Sequence, residues 1–146
     1  MNILKRQLET FNQNIKEITS IYHNAAIKLG ISDGEFWVLY SLLVLGGEYS
    51  QQNICDMWSL PKQTVNSVIS NLKKKGYVFL EKVPKTRNLK IIRLTQAGKT
   101  FGENTVMRIF EAEQRTFSKM LENERQIFIS LIGKYIAFLG EEIKEL

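Results

Sequence analysis

Side chains that do covalent or metal chemistry are scarce in this sequence. Among 146 residues there is one histidine, His23, and one cysteine, Cys55, standing 32 positions apart. A single histidine leaves few ways to build a His-rich zinc site or a Cys-His-Asp triad. No glycine-rich phosphate loop is present, and no paired carboxylates flank a cleft signature. The residues therefore read as a non-enzyme with no cofactor and no metal. One cysteine cannot form an internal disulfide. Cys55 has no His or Arg beside it in sequence to lower its thiol pKa, so it reads first as a small buried hydrophobe and only second as a redox switch.

Phosphate chemistry is better represented. Lys and Arg number 20 against 15 Asp and Glu, a net charge of +5. From Pro61 to Lys99 the cations are Lys62, Lys73, Lys74, Lys75, Lys82, Lys85, Arg87, Lys90, Arg93 and Lys99, against Glu81 as the only acid. The rest of the chain is mildly acidic. A basic middle of this kind is either a solvated face or the electrostatic footprint of a nucleic-acid binder, and local structure has to decide.

Apolar residues at three- and four-residue steps from Ile3 to Leu29 predict one long amphipathic helix, stopped at Gly30. Ser32-Asp33-Gly34-Glu35 reads as a capping box, followed by a nearly all-apolar helix from Phe36 to Leu45 and a Gly46-Gly47 stop. Ser50 caps a short helix through Ile54, Cys55 and Trp58. Ser59-Leu60-Pro61 is a turn, with Pro61 expected at the first position of the next helix. That helix turns Val65, Val68, Ile69 and Leu72 inward and ends at Lys73-Lys74-Lys75-Gly76. Two β-type runs follow, Tyr77 to Val83 and Leu89 to Thr95, joined by a polar basic tip. Thr95 is expected to cap a long helix reaching about Leu121, and Asn123 with Gln126 to box the last one. Met57, Trp58 and Phe79 read as lobe core.

Two short helices across a tight turn, then a basic hairpin, make a winged helix-turn-helix. The second of those helices has the dimensions to enter a B-DNA major groove. Its outward side chains are Lys62, Gln63, Thr64, Asn66 and Ser67. Gln and Asn can pair with adenine, Lys can reach guanine acceptors, and Thr64 at the helix start suits a phosphate. Lys85 and Arg87 at the hairpin tip can lie in or beside a minor groove.

Leu60-Pro61-Lys62-Gln63-Thr64-Val65, Leu72-Lys73-Lys74-Lys75-Gly76-Tyr77-Val78 and Arg93-Leu94-Thr95-Gln96-Ala97-Gly98-Lys99 resemble the MarR family of regulators, and the element order extends the likeness over essentially the whole chain. The resemblance implies a homodimer whose first, fifth and sixth helices intertwine, and two lobes that read a palindromic operator in double-stranded DNA. It also implies transcriptional control, often repression relieved by a small aromatic or phenolic effector. Two positions depart from the family pattern. The wing tip commonly carries Asp-x-Arg where this chain has Thr86-Arg87-Asn88. The recognition helix often carries Arg where Ser67 stands. These departures motivate an alternative, a winged-helix interaction module without operator recognition.

Family effectors bind near the junction of the first helix and the lobe, which makes Tyr22, His23, Phe36, Trp37 and Tyr40 the candidate pocket, with ordinary packing as the competing reading. The long apolar stripes at both ends of the chain independently favour pairing across a two-fold axis. The expected fold class is mainly α with a small β-hairpin. Residues 1–30 form a dimerisation helix, 31–99 the winged DNA-binding lobe and 100–146 the C-terminal dimerisation helices. The longest apolar run is too short for a bilayer and no signal peptide is read, so no membrane partner and a cytoplasmic location are expected.

Overall fold

The computed structural model describes residues 2–146, and the chain divides into two compact units, the first ending at Ile109 and the second spanning Phe110–Leu146. Helix α1 runs Ile3–Leu29, capped by the Asn2 side chain and closed by Gly30 in the left-handed conformation. Helix α2, Asp33–Tyr40, starts in the predicted box: Ser32 Oγ accepts from the Glu35 amide at 3.1 Å, and Glu35 Oε1 accepts from the Ser32 amide at 3.2 Å. Next come α3 (Gln51–Trp58), α4 (Lys62–Lys74), strands β1 (Val78–Lys82) and β2 (Lys90–Leu94), then α5 (Gln96–Glu103), α6 (Val106–Ser118) and α7 (Glu122–Lys144). The strands pair antiparallel, Val78 opposite Leu94 and Lys82 opposite Lys90. Tyr49 adds a single bridge to Ile92, so the hairpin gains a third edge.

The core of the first unit is aliphatic with one large aromatic. Phe36, Val38 and Leu39 of α2 meet Ile54 of α3, Val65, Ile69 and Leu72 of α4, Ile92 of β2 and Val106 of α6. Each inward position on α4 follows the i, i+3, i+4, i+7 rule, so the opposite side of that helix is free to face outward.

Four expectations are corrected. The run after Tyr40 is a π-helical turn, Ser41–Leu45, rather than continued α-helix. Its first residue, Ser41, is fully buried and donates to the Trp37 carbonyl at 2.8 Å while accepting from Trp58 Nε1 at 2.6 Å. Pro61 is the N-cap of α4, one residue earlier than expected. The helix from Thr95 does not reach Leu121: it breaks at Asn104 and Thr105, whose side chains donate to the Thr100 and Phe101 carbonyls and compete with the helix ladder. The final helix starts at Glu122, because the Glu124 carboxylate rather than Gln126 caps its first turn, accepting from the Leu121 amide at 2.8 Å.

Burial also differs at two expected core residues. Met57 is 39% exposed and Phe79 44% exposed. A two-stranded hairpin covers one face only, so Val78 takes the inside and its neighbour Phe79 the outside. Trp58 is half-buried, with its indole stacked on Trp37 at 4.4 Å between centroids.

Glu35 ties two elements together. Its Oε2 accepts from Lys75 Nζ at 2.9 Å, so the first turn of α2 is fixed to the end of α4. Burial alone would raise this carboxyl. The hydrogen bonds from Lys75 and the Ser32 amide, with the Lys75 charge, outweigh it and hold the group below the usual carboxylate value. The folded state thus binds the proton less readily than the unfolded chain. The contribution is complete above the ordinary value of 4.5 and is lost as the pH falls through the lowered folded value. Glu35→Gln is expected to cost about 1 kcal/mol at neutral pH, a modest figure because half-exposed Lys75 is screened by solvent. In urea titrations the gap from the parent protein should close as the pH drops beneath 4.5.

Candidate nucleic-acid interface

The second helix of the helix-turn-helix is α4, and its outer surface is built by the same periodicity that buries Val65, Val68, Ile69 and Leu72. Lys62, Gln63, Thr64, Asn66 and Ser67 are all exposed. Gln63 and Ser67 share one line along the helix with Ser70 and Lys74, at steps of four, three and four. Those last two were passed over as base-facing residues, although the spacing alone places them on the same line. Lys62 and Thr64 flank it on opposite sides. Pro61 supplies no side-chain cap to the first-turn amides of α4. Ser59 turns the chain into this helix with a left-handed backbone, φ 51°. On the inner side, Gly34 lies so close to α4 that a Cβ there would meet Val68 Cγ2 at 2.6 Å.

The wing carries Lys85 and Arg87 at its tip, both exposed. Its base closes through the Val83 amide donating to the Leu89 carbonyl at 3.0 Å, and Thr86 Oγ1 donates to the Val83 carbonyl at 2.7 Å. Lys85 and Asn88 both take positive φ, 64° and 66°. Asn tolerates that conformation; for Lys it is uncommon and costs about 1 kcal/mol. At the base of the wing, Arg93 bridges Glu48 at 3.0 Å and Glu81 at 3.2 Å. Arg93 is thereby engaged within the lobe, while the tip cations make no ion pair within 4 Å among the described residues.

A model of the MarR family matches residues 29–87, which run from the end of α1 through the wing tip. Residues 29–87 carry the likeness to the MarR family. No curated protein sequence matches it at a significant level. Among solved structures it is similar to NMB1585, a MarR family regulator from Neisseria meningitidis, at 23% identity over 99% of each chain with a TM-score of 0.82. It is also similar to MepR of S. aureus in a DNA complex, at 20% identity over 90% of this chain and 96% of that one, TM-score 0.69. The PcaV regulator of Streptomyces coelicolor, in complex with its natural ligand, matches at 18% identity over 86% and 91%, TM-score 0.63. These likenesses are of fold. In place of the Asp that the family pattern led us to expect, this wing tip has the Thr86 hydroxyl on the Val83 carbonyl and a left-handed Asn88.

The expected ligand pocket is gathered in part. Tyr22, His23 and Trp37 line a shallow groove of about 340 Å³ between α1 and α2, joined by Ile18, Thr19 and Asp33. Phe36 lies beneath them, 2% exposed, with its ring edge-on to Trp37 at 4.7 Å. Tyr40 is half-buried and stacks on Phe36 from the other side, outside the groove lining. His23 Nδ1 faces both Asp33 oxygens, at 3.1 and 2.9 Å. Asp33 was missed because it is distant in sequence; the Gly30 stop turns the chain back so that residues ten apart meet. Cys55 is buried in α3. Among the described residues no group of three or more His, Cys, Asp or Glu converges on a metal position, and no helix is long and apolar enough to cross a membrane.

Proposed function

We propose that this protein is a dimeric, sequence-specific DNA-binding transcription regulator, a repressor that a small ligand releases from its operator. The MarR-family match supports the regulatory role. The observation that carries DNA reading is the outer side of α4, where Lys62, Gln63, Thr64, Asn66 and Ser67 stand exposed on a helix whose other side is wholly aliphatic. Lys85 and Arg87 on the wing add phosphate or minor-groove contacts. In this reading residues 31–99 contact double-stranded DNA, and the helices within 1–30 and 100–146 pair two copies. Two-fold pairing sets the half-sites of a palindrome about one DNA turn, roughly 34 Å, apart. The groove at Tyr22, His23 and Trp37 receives the effector. The S. aureus MarR structure in complex with salicylate and kanamycin is a precedent of fold for such a response. In this reading the role is non-enzymatic and cytoplasmic.

Selection of bound duplexes from a random pool tests the reading. A preferred palindrome is expected, with affinity falling in salt by a log-log slope of about −0.9 per neutralised phosphate. Gln63→Ala should relax preference at one base position by about tenfold or more. Arg87→Ala should weaken all duplexes alike and flatten the salt slope by about one contact. A sample with no preferred sequence would instead favour the interaction-module reading. Affinity indifferent to salt would overturn DNA binding altogether.

A further inference from the structure

We infer that the groove between α1 and α2 takes an organic cation with an aromatic or alkyl body, and discriminates against anionic phenols and carboxylates. The inference rests on the proposed ligand response and specifies what that response recognises. The groove volume of about 340 Å³ suits a small ring system. Its apolar walls are Ile18, Tyr22 and Trp37, and the two rings stand 5.6 Å apart at a tilt of 44°. Aromatic faces attract a cation through the ring quadrupole.

The polar end of the groove decides the sign of the ligand charge. Among the described residues, Asp33 is the one anion in the lining and no Lys or Arg contributes to it. His23 turns its Nδ1 onto Asp33. With His23 neutral the lining carries −1, and with His23 protonated it carries zero, so in neither state is it positive. Asp33 and His23 remain 56% and 55% exposed, which leaves carboxylate lone pairs open to a ligand N–H or ammonium. The other common source of anion affinity, the positive end of a helix, is already answered here. Asp33 and Glu35 occupy the first turn of α2, and Ser32 completes its capping box. A carboxylate or phenolate entering this groove would meet Asp33 as a like charge and gain no compensating cation.

The test titrates the full-length protein with benzyltrimethylammonium and with benzoate, followed by calorimetry and by the fluorescence of Trp37 and Trp58. The cation is expected to bind at least about tenfold more tightly. Asp33→Asn should remove about that factor from the cation and leave benzoate unchanged or slightly improved. His23→Ala should strengthen cation binding, because it frees the carboxylate from its partner; a purely structural role for the pair predicts weakening instead. Benzoate binding as tightly as the cation, or cation affinity untouched by Asp33→Asn, would overturn the inference, as would no binding of either probe at millimolar concentration. Operator release separates the two readings. Release by benzoate and not the cation retains the ligand response and refutes the charge preference. Cation binding in the groove without any change in DNA affinity retains the preference and refutes the ligand response.

Discussion

Gly98→Ala is expected to cost the winged lobe about 3 kcal/mol, among the largest effects of any single methyl group in this chain. A Cβ at Gly98 would fall on the Tyr77 carbonyl, with the Tyr77 Cα also close, and both are backbone atoms that cannot swing aside. The approach is enforced from three directions. The Thr95 amide donates to the Tyr77 carbonyl at 3.0 Å, and Thr95 Oγ1 donates to the Gly76 carbonyl at 2.6 Å. The Gly98 amide in turn donates to Thr95 Oγ1 at 3.0 Å. The rings of Tyr77 and Phe101 stack at 4.4 Å on top of this clamp. The Leu-Thr-x-x-Gly block is therefore a docking device that presses the start of α5 onto the turn after α4. Urea denaturation checks it, with Gly102→Ala as the companion. A Cβ at Gly102 would meet Leu43 Cδ2 at 2.8 Å, the mobile end of a side chain, so that change should cost about 1 kcal/mol or less. Equal costs at the two glycines would remove the clamp as the cause.

Ile136→Asp is expected to dissociate the proposed dimer and to lower operator affinity by about a hundredfold or more, because each lobe then binds its half-site without the other's help. Helix α7 buries none of its residues. Phe128, Ile132, Tyr135 and Leu139 form its central stripe, flanked by Ile129 and Ile136 on one side and Leu131 and Phe138 on the other. At 100° per residue this apolar arc covers roughly 200°, about twice what a helix lying on a single core presents. Helix α1 likewise exposes Ile3, Leu4, Leu8, Ile15, Ile18 and Ile21 while burying only Ala26. Ile136 is 62% exposed within its own chain, so a charge there should barely alter the stability of a monomer. Sedimentation reads the outcome directly. An Ile136→Asp protein that keeps its oligomeric state would show that α7 is not the seam.

The sequence disclosed those elements whose boundaries are written in local chemistry. Ser32 with Glu35, Ser50 at the head of α3, and Gly30, Gly46 and Gly76 in left-handed stops are short-range signals, and each lies where expected. The inward residues of α4, and hence its outward ones, follow from period alone. The π-turn at Ser41 was not legible, since an all-apolar run such as Phe36 to Leu45 carries no phase to betray an extra residue per turn. The break at Asn104 and Thr105 depends on side chains choosing carbonyls over solvent, and the Gly102 approach to Leu43 joins residues far apart in sequence. The groove was half legible. Tyr22, His23 and Trp37 were expected there from the family resemblance, but Asp33 joins them only once the chain has reversed at Gly30.

The stacked indoles of Trp37 and Trp58 connect the groove wall to the end of α3. One ring belongs to the groove wall; the other is the last residue of α3, immediately ahead of the left-handed Ser59 that launches α4. With Trp58 also donating to the buried Ser41 hydroxyl, the pair joins the groove wall to the residue that ends α3, three positions ahead of Pro61 at the head of α4. If the proposed ligand response holds, the emission of these two indoles is expected to change when a guest enters the groove, without any added label.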